Sequence, residues 1–133
     1  MDLKGLEYLL TGGAPLAGCE LSQADAVSLV AAQFPGRAFC LVADWVLIDM
    51  ITSERVANAL AKKGGLPSIV LSLCVLKDSR ERFPFGHWVK SSQGVTFTLG
   101  CLFETRNTVY ALMGAGRRIR ADFDTVMSLI NTS

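Results

Sequence analysis

The most reactive side chains in this sequence are four cysteines and a single histidine. The cysteines contain no C-x-x-C pair, so the chain has no zinc-ribbon or thioredoxin-type motif. They are Cys19, Cys40, Cys74 and Cys101. His87 could activate a thiol, and pairing with Cys74 or Cys101 would give a thiolate–imidazolium site. Three cysteines lie in apolar, strand-like runs, which favours four reduced core thiols and leaves a Cys/His-dependent enzyme as an alternative.

The carboxylates offer no acid–base pair. Asp44 and Asp49 flank the segment D-W-V-L-I-D, and positions five apart on an extended strand point to opposite faces. We therefore interpret them as turn and cap residues that bound a strand. The segment T-G-G-A-P lacks the lysine and the spacing of a phosphate-binding loop and is interpreted as a turn. We assign no catalytic or metal-binding residue and expect no cofactor.

The segment G-A-G-R-R-I-R is the best candidate for binding an anion. Gly114 and Gly116 could present successive backbone N–H groups as a nest. Arg117, Arg118 and Arg120 supply positive charge beside them. The simpler interpretation is a loop between a strand and a helix that carries solvated arginines, and both interpretations stay open.

A second basic region, residues 77–92, interleaves basic and aromatic side chains. Such mixtures stack on single-stranded nucleic acid and neutralise its charge, and Trp and Arg also anchor protein interfaces. The alternative is that the aromatic side chains point into the core and the arginines into water. The candidate partner-binding residues are Arg80, Arg82, Phe85, His87, Trp88 and Arg106, the last in a predicted turn.

Charge is concentrated in the second half of the chain. Residues 77–120 contain eight basic and three acidic side chains, although the whole chain has a formal net charge of only +1. Half of the 133 residues are apolar, a high share for a domain of this size. Such a chain either buries an unusually large share of its residues or leaves an apolar face that is covered by a partner protein or by a second copy in a homodimer.

The longest strongly apolar stretch without a charge is residues 64–76. This stretch contains Pro67 and is shorter than the roughly 20 residues of a membrane-spanning helix. The N-terminus carries Asp2 and Glu7 and no positively charged segment before an apolar block, which argues against a signal peptide. We expect a cytoplasmic protein without a membrane partner.

The periodicity predicts a single α+β domain. Helices are expected near 22–34, 53–63 and 122–131, capped by Ser22, by Thr52 or Ser53, and by Asp122, and one or two helical turns within 2–10. The expected strands are 38–42 and 45–50, as a hairpin or one bent strand, then 68–76, 87–91, 95–105 and 108–113. Short polar connections favour antiparallel pairing. We expect a mainly antiparallel sheet of about five strands with the helices packed on it.

Three segments carry a resemblance to a known family. They are D-W-V-L-I-D, the pattern G-x-W-V-x-S-S within 86–92, and G-C-L-F-E-T-R-N-T-V-Y-A-L-M-G from Gly100. Together they resemble a family of small bacterial and mobile-element proteins known as a domain of unknown function. The resemblance covers most of the chain after about Ala38 and implies no activity, cofactor or catalytic residue.

The function that we expect is a non-enzymatic protein-interaction domain acting through the strand-rich, basic second half. If a phage or mobile element encodes it, modulation of a host complex is a natural form of this function. The first alternative is a nucleic-acid or phosphate binder that uses the basic 77–120 region. The second alternative is the Cys/His-dependent enzyme.

Overall fold

Eight strands and three helices lie wholly within residues 11–131, the part of the chain that this computed structural model describes. The strands are β1 (Ala14–Leu16), β2 (Phe39–Ile51), β3 (Ser68–Asp78), β4 (Val89–Lys90), β5 (Gly94–Thr98), β6 (Leu102–Thr105), β7 (Val109–Leu112) and β8 (Gly116–Asp122). The helices are α1 (Gln23–Gln33), α2 (Glu54–Lys62) and α3 (Phe123–Asn131). The predicted α+β class is confirmed, but the prediction of about five strands was too low. The helical turns expected within 2–10 lie outside the described residues.

All eight strands belong to one mixed sheet built around β2. One path through the sheet follows the order β1-β8-β2-β7-β6-β5, while β3 pairs with β2 and carries β4. Five of the seven strand pairings in the described residues are antiparallel, in agreement with the expected mainly antiparallel sheet. The other two pairings join β2 to β7 and to β8 in parallel. The sheet is therefore mainly antiparallel with a parallel centre.

β2 is one long strand that changes side-chain phase at Asp44. Cys40 and Val42 lie in the same core cluster as Trp45 and Leu47, so the alternation shifts by one residue between the two pairs. Asp44 has a φ of 47°, a left-handed conformation that aspartate tolerates better than most residues and that accommodates the extra residue. The first half of β2 pairs with β7 and the second half with β8.

The three helices form where the sequence predicted them. α1 packs on the sheet through Ala26 and Val30, and α3 through Val126, all of which are buried. α2 differs from the expected packing, because none of its residues is buried. Within residues 11–131, the cluster around Trp45 and Phe103 contains no helical residue and is formed by the strands and their connections.

Side-chain caps begin all three helices as predicted. The hydroxyls of Ser22 and Ser53 and the carboxylate of Asp122 each accept a hydrogen bond from the backbone N–H three residues later, at 3.1, 3.2 and 3.2 Å. Gly64 follows the end of α2 with a φ of 74°, the conformation that glycine supplies at helix C-termini.

Two segments expected to be a turn and a loop are strands. β1 contains Pro15, which is tolerated because β1 pairs only with β8 and therefore lies at an edge of the described sheet. β8 contains three arginines, but its Ile119 is buried in the core. The single strand expected over 95–105 is interrupted between β5 and β6 at Leu99 and Gly100, which both have a positive φ.

Candidate binding surfaces

Five of the six residues expected to bind a partner lie on the connection between β3 and β4. They are Arg80, Arg82, Phe85, His87 and Trp88, whereas Arg106 lies in the turn between β6 and β7. The Val75 N–H donates to the His87 carbonyl, and the Gly86 N–H donates to the Val75 carbonyl, both at 2.8 Å. Gly86 has a φ of 84°, so Gly86 and His87 together oppose Val75 as a glycine β-bulge. The connection is thereby held against β3.

Arg82 is tied to the rest of the protein. Its Nε and Nη2 donate to the Asp78 carboxylate at 2.9 and 2.7 Å, and its Nη1 donates to the Thr108 hydroxyl at 2.9 Å. The Asp78 side chain is 0% exposed and that of Arg82 is 34% exposed. The guanidinium carbon also lies 5.2 Å from the centroid of the Phe83 ring. Arg82 therefore anchors the connection to the end of β3 and to the start of β7.

Burial and Arg82 act on Asp78 in opposite directions. Burial alone would raise the pKa of Asp78, but the hydrogen bonds and charge of Arg82 outweigh it and hold the pKa below its ordinary value of 3.8. The hydrogen bond to Asp78 in turn raises the pKa of Arg82. Asp78 is thus ionised at neutral pH, although its side chain is buried.

Three large apolar side chains are exposed on β3 and on the β3–β4 connection. Leu73 is 49% exposed, Phe85 is 75% exposed and Trp88 is 53% exposed. Leu73 and Trp88 each lie one residue beyond the last residue pair of the β3–β4 ladder, so they are neighbours on facing segments. Arg80 and His87 are exposed on the same connection. Together, Leu73, Arg80, Phe85, His87 and Trp88 form what we call the β3–β4 surface.

The two glycines expected to form an anion-binding nest have internal contacts. The Gly114 N–H donates to the Cys19 carbonyl at 2.9 Å, so it is not directed at a ligand. Gly116 lies against the Trp45 ring, and a Cβ at this position would collide with the indole. Gly116 therefore packs the start of β8 against β2, whereas the Gly114 N–H joins the β7–β8 connection to Cys19.

The three arginines expected to bind the same anion are spread along β8. Arg117 donates from Nη1 to the Gly12 carbonyl at 2.6 Å. Arg118 donates from Nε and Nη2 to the Asp49 carboxylate at 2.6 and 3.2 Å, whereas Arg120 is exposed. Burial alone would raise the pKa of Asp49, but its hydrogen bonds and the arginine charges lower it. Asp49, interpreted from the sequence as a cap, thus lies inside β2, and Arg117 lines one cleft together with Leu73 of the β3–β4 surface.

Three of the cysteines are buried. The Sγ atoms of Cys19 and Cys101 lie 2.6 Å apart, a pairing that the sequence did not indicate. Burial raises the pKa of Cys101 and that of Cys40 to about 12, the opposite of what a nucleophilic thiolate needs. Cys74 is half-buried and His87 is exposed, and among the described residues no hydrogen bond joins the His87 ring to a thiol.

The sequence indicated Arg106 as a partner-binding residue but did not group it with the basic side chains around the β4–β5 connection. Lys63, Lys90 and Arg106 line two clefts that share Ser92 and Gln93. Lys63 follows α2, and Arg106 lies in the β6–β7 turn. No spacing in the sequence indicates that Lys63 and Arg106 line the same cleft. The cleft depends on how the α2–β3 connection packs against the β4–β5 connection.

Comparisons with known proteins bear on the family and not on an activity. No helix within residues 11–131 has both the length and the apolar character needed to cross a bilayer. Neither the comparison with curated proteins nor the comparison with solved structures gave a significant match. A family model matches residues 17–128, a span that contains all three segments of the resemblance found in the sequence. The chain belongs to the family described as Domain of unknown function (DUF6957).

Proposed function

We propose that this domain is a non-enzymatic binding module that holds an acidic segment of another protein against the β3–β4 surface. The observation that carries the proposal is the joint exposure of Leu73, Phe85 and Trp88 beside a firmly anchored backbone. Large apolar side chains that are exposed side by side are typical of interaction sites, and tryptophan is enriched among the residues that dominate binding energy. A backbone that is already ordered lowers the entropic cost of binding.

The charge around these side chains favours an acidic partner. Lys77, near the end of β3, and Arg80, on the β3–β4 connection, are both exposed. Glu81 is the one carboxylate within the connection 79–88, and Asp78 is neutralised by Arg82. Complementary charge accelerates association and fixes the orientation of a partner. If a phage or mobile element encodes the chain, a complex of the host cell is a natural source of this partner.

The test compares Trp88→Ala with a matched control. Leu21 is also exposed but lies outside the β3–β4 surface, so Leu21→Ala removes a similar apolar side chain elsewhere. Proteins captured from the native cell by the wild type are purified and titrated against each variant. We expect Trp88→Ala to weaken binding by about 2 kcal/mol, roughly 30-fold in Kd, and Leu21→Ala to leave Kd unchanged.

Three outcomes would overturn the proposal. The first is an equal Kd for both variants, and the second is that the captured protein is a second copy of this chain. The third is that a single-stranded oligonucleotide binds in place of a protein, with an affinity that falls steeply as salt is added.

A further inference from the structure

The connection between β4 and β5 lines two adjoining clefts, which share Ser92 and Gln93. The larger cleft has a volume of about 400 Å³, an apolar floor of Met50, Ile69 and Phe123, and Lys90 at its side. The smaller has a volume of about 200 Å³ and is lined by Lys63 and Arg106 among other residues. Small-molecule sites occupy roughly 300–1,000 Å³, so the two clefts together are large enough for a ligand of metabolite size.

Hydrogen bonds hold the β4–β5 connection, which lines both clefts, in place. Ser91 is buried, and its hydroxyl accepts from the Val70 N–H at 2.8 Å and donates to the Ser92 carbonyl at 2.7 Å. The Leu66 N–H donates to the Gly94 carbonyl at 2.8 Å, which joins the α2–β3 connection to the start of β5. The clefts are therefore formed before any ligand binds, and little ordering is needed on binding.

Gln93 is held where the two clefts meet. Its side-chain amide lies directly against Gly65, where a Cβ would collide with the amide group. Any other residue at position 65 would therefore displace Gln93 or close part of the smaller cleft. The amide supplies a hydrogen-bonding group at the boundary between the apolar floor and the basic end.

The charge of the clefts has one sign. Lys63, Lys90 and Arg106 come from three separate parts of the chain, and no aspartate or glutamate among residues 11–131 lines either cleft. A concave site lined by charge of one sign attracts and concentrates the opposite charge. Two cations at the small end suit a group with two negative charges, and the guanidinium fork of arginine matches phosphate oxygens.

We propose that these clefts bind a small phosphate monoester with an apolar or aromatic organic group. The phosphate lies between Lys63 and Arg106, and the organic group lies on the apolar floor against Phe123. This site does not include the β3–β4 surface, so ligand binding here can be tested independently of the proposed partner protein.

The test is a calorimetric titration of the purified chain with phenyl phosphate, with inorganic phosphate and benzoate as comparison ligands. We expect phenyl phosphate to bind more tightly than either, because neither comparison ligand combines a dianion with an aromatic ring. Lys63→Ala and Arg106→Ala should each weaken binding of phenyl phosphate about tenfold, the size expected when one hydrogen bond to a charged group is lost. Lys62→Ala and Arg80→Ala are the matched controls, because neither residue lines the clefts.

Phe123→Ala tests the apolar floor of the site independently of the phosphate-binding end. This substitution should weaken the binding of phenyl phosphate and leave the weaker binding of inorganic phosphate unchanged. No saturable binding of phenyl phosphate up to about 10 mM would overturn the proposal. Equal affinity for benzoate, or equal losses in the matched control variants, would overturn it as well. Thermal unfolding of each variant identifies any loss that comes from misfolding, and Lys63→Gln and Arg106→Gln then replace a variant that fails to fold.

Discussion

Replacing Arg82 by methionine tests whether this residue anchors the β3–β4 connection. Methionine keeps an unbranched apolar stem beside Phe83 and removes the guanidinium. The ion pair with Asp78 and the hydrogen bond to Thr108 are both lost. Asp78 remains buried with its negative charge, and that uncompensated charge is the main cost of the substitution.

The size of this cost follows from the exposure of the pair. Removing one partner of a fully buried ion pair costs about 3–5 kcal/mol, whereas an exposed pair contributes about 1 kcal/mol or less. The side chain of Asp78 is fully buried, but a third of the Arg82 side chain is exposed, so water screens part of the interaction. Asp78 also still accepts the backbone N–H of residue 82 at 2.6 Å. We therefore expect the free energy of unfolding to fall by about 2 kcal/mol.

The loss should depend on pH in a defined direction. In the wild type the pKa of Asp78 is lower in the folded state than its ordinary 3.8, so the ionised carboxylate stabilises the fold above that pH. This stabilisation disappears as the pH falls through the folded-state pKa. In Arg82→Met the guanidinium no longer opposes the effect of burial on Asp78, so the pKa of Asp78 rises and protonation relieves part of the destabilisation. The difference between the two proteins should thus be largest near neutral pH and should shrink in acid.

Urea unfolding followed by circular dichroism at about pH 7 and about pH 3 measures this difference. Arg80→Met is the control, because Arg80 is exposed on the same connection and lies two residues before Arg82. A loss for Arg82→Met of under about 0.5 kcal/mol at neutral pH would refute the anchoring role. An equal loss at both pH values would refute its electrostatic origin.

Three further substitutions test other parts of the structure. Asp49→Asn should lower the free energy of unfolding by only about 1 kcal/mol in urea titration, since its ion pair with Arg118 is half-exposed; a loss of several kcal/mol would contradict this. Native labelling with a disulfide reagent should modify Cys74 first and the three buried cysteines only on unfolding, so a fast phase that survives Cys74→Ser would disprove the assigned burial. Gly116→Ala should lower the melting temperature, because the new methyl group collides with the Trp45 ring at a cost of about 1–3 kcal/mol, and an unchanged melting temperature would refute that contact.

The local elements could be predicted from the sequence because their signals are local. Ser22, Ser53 and Asp122 each cap a helix through an N–H three residues later, and Gly64 ends one by its conformation. The Arg106–Asn107 turn likewise lies between β6 and β7, as expected. Such features depend on a few neighbouring residues and are readable without knowledge of the fold.

The centre of the sheet could not be predicted, because it depends on contacts between distant segments. The sequence left open a hairpin or one bent strand across Asp44, and pairing with β3, β7 and β8 carries β2 through its positive φ as one strand. The arginines of β8 indicated a loop in the sequence. In the structure Arg118 lies in a strand, and its partner is Asp49, about 70 positions earlier in the chain. Tertiary pairing overrides local polarity in both segments.

The candidate surfaces were predicted in part. Phe85 and Trp88 are exposed, as an interface would require, and the aromatic and basic composition of the segment indicated them. Arg82 was named for the same reason, but its guanidinium forms an ion pair with Asp78. The sequence could not show whether Arg80 or Arg82 would form this ion pair. The cleft between Lys63 and Arg106 has no sequence signal, because two loops must pack together before it exists.

Site-specific photocrosslinking at position 88 is the most direct measurement of the proposed protein-binding function. A photoreactive phenylalanine analogue replaces Trp88 in one protein and Leu21 in another, and both are irradiated in the native cell. We predict a discrete adduct with an acidic protein from position 88 and no such adduct from position 21. Absence of an adduct at position 88, or the same adducts from both positions, would contradict the assignment of the β3–β4 surface.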